Sequence, residues 1–137
     1  MILIDTNVLL DVVADDPVWA DWSQQQLNAA ALRDRLAINP VIYAEFSSRF
    51  ARIEDIEAML ASADIAVAEM PRPALFLAGQ AFKTYRRRGG QRTSVLPDFF
   101  IGAHAAALGA PLITRDASRY RTYFPTVHVI APDQEAG

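Results

Sequence analysis

Four of the 16 acidic residues lie beside apolar segments, where a solvated acid is not expected. Asp5 and Asp116 each follow an apolar run that is typical of a buried strand. Asp98 heads the apolar stripe of one predicted helix, and Glu45 borders the apolar face of another. Each of them alone could be an ordinary cap, turn or boundary residue. If they converged, their repulsion would favour a bound divalent cation, and a ligand set made only of oxygens favours Mg²⁺ or Mn²⁺ over zinc. A cation held in this way can activate water for phosphodiester hydrolysis.

Short apolar runs alternate with segments of helical period along the whole chain. This pattern predicts an α/β fold with a doubly wound, mainly parallel sheet and helices on both faces. The strands are predicted at 1–4, 36–38, 65–67, 112–114 and 127–130, and the helices at 8–13, 17–33, 42–50, 53–63, 73–88 and 97–109. Residues 1–132 are expected to form one domain, and residues 133–137 a short frayed tail. Asp5 and Asp116 then lie at the carboxyl edge of the sheet, where open α/β sheets bind their ligands.

The charges are distributed unevenly along the 137 residues, although the net charge is only −3. Residues 1–69 carry 12 acids and 4 bases, whereas residues 70–137 carry 4 acids and 9 bases. A run of exposed bases suits nucleic-acid phosphates, and it also suits the carboxyl end of a helix or an acidic protein segment. The bases in and near that run are candidates for phosphate contacts, and they are Lys83, Arg86, Arg87, Arg88, Arg92 and Arg115.

The composition excludes several classes of protein. There is no cysteine, so a disulfide framework and a thiolate zinc site are both excluded. No apolar run is long enough to cross a bilayer, and the first residues lack the features of a signal peptide, so no membrane association and a cytoplasmic location are expected. His104 and His128 are poor zinc candidates, and His104 is expected on the solvent side of its helix or in a packing contact.

Three segments, in register with Glu45 between them, resemble the PIN-domain ribonucleases, and at this size the VapC-type toxins of type II toxin–antitoxin systems. They are MILIDTNVLL at residues 1–10, PDFFIGAHA at 97–105 and LITRD at 112–116. The resemblance implies a single PIN-like α/β/α sandwich. It also implies an endoribonuclease that uses Mg²⁺ or Mn²⁺, so the six bases named above are expected to contact RNA. On this resemblance the catalytic and metal-binding acids are Asp5, Glu45, Asp98 and Asp116, supported by Thr6, Asn7 and Thr114.

The resemblance also implies roles and partners. Asp5 and Asp98 would be the principal metal ligands, Asp116 a ligand or a residue behind them, and Glu45 a ligand of a second ion or the group that orients the attacking water. A small cognate antitoxin protein is expected as a partner, in a homodimer or a toxin–antitoxin hetero-oligomer. Trp19, Trp22 and Phe50 are candidates for an apolar groove that would receive an antitoxin helix.

Two other functions remain open at this level. A PIN scaffold that has lost its activity would serve as an interaction module, and the retention of all four acids argues against it. A phosphotransfer receiver domain also gathers acids at strand ends. That class needs a lysine after a late strand, whereas the single lysine, Lys83, lies in a predicted helix.

Overall fold

A computed structural model describes residues 1–132, which contain a five-stranded parallel sheet. The predicted tail at 133–137 lies outside the described residues. The strand order is β3-β2-β1-β4-β5, and each of the four neighbouring pairs is parallel. The strands are β1 (Ile2–Ile4), β2 (Leu36–Ile38), β3 (Ile65–Val67), β4 (Leu112–Ile113) and β5 (Val129–Ile130). The prediction of a mainly parallel α/β sheet is confirmed.

Seven helices connect and cover these strands within residues 1–132. They are α1 (Thr6–Val13), α2 (Ala20–Ala31), α3 (Pro40–Ser47), α4 (Ile53–Ser62), α5 (Arg72–Arg87), α6 (Leu96–Leu108) and α7 (Ser118–Tyr123). Every residue of β1, β2 and β4 is buried, which requires helices on both faces of the sheet. In the described part of the chain, no helix is long and apolar enough to cross a membrane.

Local sequence signals set the ends of the helices that carry site residues. Asn39 caps α3, because its side chain accepts a hydrogen bond from the backbone N–H of Ile42, and Pro40 occupies the first turn. Gly109 ends α6 in the left-handed conformation, with φ of 64°, which glycine adopts without strain. The sequence therefore fixes where α3 and α6 begin or end, and with them the positions of Glu45 and Asp98.

Several predicted boundaries differ from the structure, and one helix was not predicted. The helix predicted at 17–33 begins only at Ala20, because Asp16 accepts hydrogen bonds from the backbone of the two residues before that helix begins. The helix predicted over 42–50 ends at Ser47, so Phe50 lies beyond it. Helix α7 was not predicted at all, because its sequence SRYRTY has no apolar stripe.

Candidate active site

The four predicted acids line one cavity of about 480 Å³ at the carboxyl edge of the sheet. The edge lies at β1, where the strand order changes direction and where a ligand crevice is expected. The other lining residues include two predicted supporting residues and one that was not predicted: Thr6, Asn7 and Tyr120. The structure thus brings together residues that are up to 115 positions apart in the chain, Asp5 and Tyr120.

Asp5 lies at the centre of this cavity and is only 5% exposed. It caps α1, because one carboxylate oxygen accepts a hydrogen bond from the Thr6 backbone N–H at 2.7 Å. The other oxygen accepts hydrogen bonds from the hydroxyls of Thr114, at 2.8 Å, and Tyr120, at 2.9 Å. One short segment after β1 therefore starts a helix and presents a carboxylate whose orientation is held by donors from two distant elements.

Burial changes the protonation of this carboxyl. The pKa of Asp5 is raised from 3.8 to about 7, chiefly because burial disfavours the charged form. The hydrogen bonds from Thr114 and Tyr120 lower this pKa, and the negative charge of Asp98 raises it further. Asp5 is therefore a carboxyl whose ionisation near neutral pH would be helped by a bound cation.

Glu45 enters the cavity from α3 and is partly buried. The Thr6 hydroxyl donates a hydrogen bond to its Oε1 atom at 2.7 Å. Thr6 thus connects the capping segment of Asp5 to the Glu45 carboxylate.

The segment after β4 is tied to the segment after β1 by a second set of hydrogen bonds. The Thr114 hydroxyl donates to Asp5 and accepts from the Asn7 side chain, at 3.4 Å, and from the Asp116 backbone N–H, at 3.1 Å. The Oδ1 atom of the Asn7 side chain accepts a hydrogen bond from the Arg115 backbone N–H at 3.2 Å. Asp116 itself is exposed at the rim of the cavity, in contrast to buried Asp5.

Asp98, in the first turn of α6, faces two residues of α7 that the sequence analysis missed. Arg119 donates a hydrogen bond to its Oδ2 atom at 2.6 Å, and the Tyr120 hydroxyl lies 3.4 Å from its Oδ1 atom. Burial raises the pKa of Asp98, and the Arg119 guanidinium opposes this shift. Their closeness to Asp116 in the sequence, within four residues, could have indicated that Arg119 and Tyr120 lie near the site. Because α7 was not predicted, the direction of their side chains could not be inferred.

The donor set of the cavity suits a hard divalent cation, because it consists of four carboxylates with hydroxyl and amide oxygens beside them. Among residues 1–132, however, no three acid or histidine side chains stand close enough together to hold an ion as they are placed. The Asp98 carboxylate forms a salt bridge with Arg119 in this arrangement. The residues fit a cation in their chemistry, and holding one would require the carboxylates to draw together.

The predicted RNA-contacting bases fall into two groups. Lys83, Arg86, Arg87, Arg88 and Arg92 are all exposed, at the end of α5 and in the loop that follows it. This loop leads directly into the first turn of α6, which carries Asp98. The guanidinium of Arg88 also lies over the ring of Tyr123 in α7, 5.5 Å from its centroid. The basic surface is therefore connected to α6 and in contact with α7, the two helices that carry Asp98 and Tyr120.

Arg115 belongs to a different environment. Its Nε atom donates a hydrogen bond to Asp11, at 2.9 Å, and its guanidinium lies over the ring of Trp19. Asp11 is 2% exposed and also accepts a hydrogen bond from the Ser23 hydroxyl. This arrangement shows Arg115 tying the segment after β4 to α1 and α2. It remains only a candidate for an RNA contact.

Two other side chains, Tyr85 and His104, pack within the protein. Tyr85 lies against Phe82 and Phe99, and its hydroxyl accepts a hydrogen bond from the Arg92 backbone. Tyr85 is therefore packed against other rings and bonded to the loop that follows α5. His104 is fully buried, so of its two expected positions the structure shows the packing contact, with the Asn39 amide 3.2 Å from its Nδ1 atom.

Comparison with known proteins identifies the class. The family model of the PIN domain matches residues 2–125. Among solved structures, VapBC2 from Rickettsia felis bound to a DNA fragment from its promoter superposes with a TM-score of 0.74 at 19% identity, covering 96% of this chain and 98% of that one. A toxin–antitoxin complex from Klebsiella pneumoniae and VapBC-1 from nontypeable Haemophilus influenzae each give a TM-score of 0.69, at 20% and 21% identity, over 96% of this chain and 98% of theirs. No protein with curated annotation matches the sequence.

The parallel α/β sheet has four carboxylates in a cavity at its carboxyl edge. The chain belongs to the PIN domain family. Members of this family are nucleases and generally depend on a divalent metal. At their level of identity, the structural likenesses establish the fold alone.

Proposed function

We propose that this protein is an Mg²⁺- or Mn²⁺-dependent endoribonuclease that acts as the toxin of a toxin–antitoxin pair. The observation that supports this most is the cavity in which Asp5, Glu45, Asp98 and Asp116 converge within a PIN domain. A cation bound there would lower the pKa of a water molecule and neutralise charge on the phosphate.

The residues of the cavity would have different roles in catalysis. Asp5 and Asp98 would hold the cation, with Asp116 at the rim as a further ligand or an outer anchor. Glu45, held at one oxygen by Thr6, would orient the attacking water or hold a second cation. Thr6, Asn7 and Thr114 would keep the carboxylates in place through the hydrogen bonds described above.

The basic surface supports a polyanionic substrate. Five exposed bases lie beside the loop that enters α6, so an RNA strand lying on them would pass the cavity. Replacing Arg86 and Arg87 together with Ala should raise KM for RNA and flatten its dependence on salt, with little change in kcat. The paired replacement of Arg33 and Arg35, which lie next to the opposite end of β2, is a control of equal charge.

An antitoxin protein is the proposed partner, since three of the similar structures are VapBC or toxin–antitoxin complexes. A groove of about 290 Å³ lined by Tyr43, Phe50 and Ile53 could take an apolar helix, and Ile53 is 65% exposed. Trp19 and Trp22, the other candidates, pack edge to face against each other. A homodimer or a toxin–antitoxin hetero-oligomer remains part of this proposal, as does a cytoplasmic location.

The test is RNA cleavage by the wild type, Asp5→Asn and Asp98→Asn, with Mg²⁺, with Mn²⁺ and with EDTA. We expect cleavage by the wild type only with a metal, and a loss of at least 100-fold in each variant, since each removes a direct ligand. Asp64→Asn is the matched control, because Asp64 is exposed and its positive φ suits asparagine. Expression in cells should arrest growth for the wild type and Asp64→Asn only. Wild-type cleavage rates in Asp5→Asn or Asp98→Asn would reject the site, and a folded wild type that binds no metal would favour the interaction module.

A further inference from the structure

Arg119 places a positive charge on a carboxylate that the proposed function assigns to a cation. Its Nη1 atom is 2.6 Å from Asp98 Oδ2, and the two side chains are 24% and 32% exposed. A charged hydrogen bond of this length is strong for its class. The guanidinium therefore already neutralises the carboxylate to which a cation would bind.

The Asp98 carboxylate faces α7 through both oxygens. The Tyr120 hydroxyl lies 3.4 Å from Oδ1 and donates to Asp5 at 2.9 Å, so α7 contacts both of the principal acids. A cation shared by the two acids would neutralise the Asp98 carboxylate and repel the nearby guanidinium, so it would weaken the pair between Asp98 and Arg119. Binding of the cation and the ion pair of Arg119 are thus in competition.

Once released, the Arg119 guanidinium stays within reach of the cavity. Its helix is anchored, because Tyr120 is buried and Phe124, which follows α7, packs against Gly102 of α6. Only the long side chain needs to move. A phosphate of a bound strand is a suitable acceptor for an arginine freed beside this cavity, because the guanidinium can form two parallel hydrogen bonds with it.

Arg115 could not serve in this way. Its guanidinium donates to buried Asp11 and lies over Trp19, so releasing it would leave a buried carboxylate without its charge partner. Arg119 pairs with a carboxylate that the cation would neutralise, and its release has no such cost.

We propose that Arg119 is an exchanging counter-ion, which pairs with Asp98 in the ion-free enzyme and with an RNA phosphate once the cation is bound. This rests on the proposed function and adds to it a residue that lowers the affinity for the metal and raises the affinity for the substrate. Removing Arg119 should therefore raise the affinity for the metal and lower the affinity for RNA. A residue with a merely structural role would not change the two affinities in opposite directions.

The test compares Arg119→Gln with the wild type in two assays. In calorimetric titration with Mn²⁺ alone, the variant should bind about tenfold more tightly, as expected for removing one charge-assisted hydrogen bond of about 1.4 kcal/mol. In RNA cleavage at saturating Mn²⁺, its KM should rise about tenfold while kcat changes less. Arg119→Lys keeps the charge, so its Mn²⁺ affinity and its KM for RNA should each lie between the values for the wild type and for Arg119→Gln.

The controls separate this inference from the proposal on which it rests. Arg35→Gln removes the same charge next to the opposite end of β2 and should leave both constants unchanged. Unchanged or weaker Mn²⁺ binding in Arg119→Gln, with a wild type that binds and cleaves, would overturn the exchange alone. A wild type that binds no Mn²⁺ would overturn the proposed function as well. If Arg119→Gln fails to fold, tighter Mn²⁺ binding and raised KM in Arg119→Lys decide the question, and wild-type values for both reject the exchange.

Discussion

Replacing Asp5 with Asn is expected to stabilise the ion-free protein above neutral pH. The folded pKa of Asp5 is about 7, against 3.8 for an unperturbed carboxyl, so the folded state binds the proton more tightly than the unfolded state does. The contribution of this group to stability is then complete below about pH 4 and is lost as the pH rises through about 7. Above that pH, folding buries a carboxylate that stays charged.

The size of the effect follows from the pKa difference. A shift of about three pKa units corresponds to about 4 kcal/mol of unfolding free energy between low and high pH. Asparagine removes this penalty, but it gives weaker hydrogen bonds to Thr114 and Tyr120 than a carboxylate does. The net gain for Asp5→Asn at pH 8.5 should therefore be about 1–3 kcal/mol, with little or no gain at pH 5.5.

Urea denaturation in EDTA at pH 5.5 and 8.5 measures this difference, with Asp64→Asn as the control. Adding Mg²⁺ at pH 8.5 should stabilise the wild type and reduce the advantage of Asp5→Asn, because a ligand that binds only the folded state stabilises it. The reasoning is refuted if Asp5→Asn is less stable than the wild type at pH 8.5, or if the difference between the two is the same at both pH values.

Three further substitutions probe the support of the site. Tyr120→Phe removes a donor to Asp5 and should lower the unfolding free energy at pH 8 by about 1–3 kcal/mol, measured in urea; an unchanged value would mean that this hydrogen bond carries no weight. Gly102→Ala places a Cβ atom 2.3 Å from the Phe124 ring, so it should destabilise the fold by about 1–3 kcal/mol and slow RNA cleavage by displacing α7; full activity would reject that packing. Burial lowers the pKa of His104, although a hydrogen bond with the Glu69 backbone opposes this shift. The wild type should therefore lose stability relative to His104→Gln as the pH falls from 7 to 5, by at most about 1.4 kcal/mol per pH unit. A difference in unfolding free energy in urea that stays constant between these pH values would contradict this.

Much of the sheet could be predicted because its strands are short apolar runs that stand between helix signals. Residues 36–38 and 65–67 match the observed strands, and the Asn39 cap marks the start of α3. The four acids could be assembled because parallel strands bring their carboxyl ends to one edge and because three motifs resemble one family. Their presence in one cavity agrees with that prediction, whereas their catalytic roles remain proposals.

Local patterns could not reveal contacts that depend on tertiary packing. Helix α7 has no amphipathic period, and it is held by Tyr120 and by the packing of Phe124 against Gly102. Its two site residues were missed for that reason. The pairing of Arg115 with Asp11 was also not predicted, since it joins residues 104 positions apart and only the folded chain brings them together.

The most direct test of the central claim is anomalous scattering from crystals of the protein soaked in Mn²⁺. The account predicts an anomalous peak inside the cavity, at about 2.0–2.2 Å from carboxylate oxygens of Asp5 and Asp98, and its loss in Asp98→Asn. An empty cavity in a well-ordered, Mn²⁺-saturated crystal, or an ion bound only outside it, would contradict the assignment of these carboxylates as the metal site.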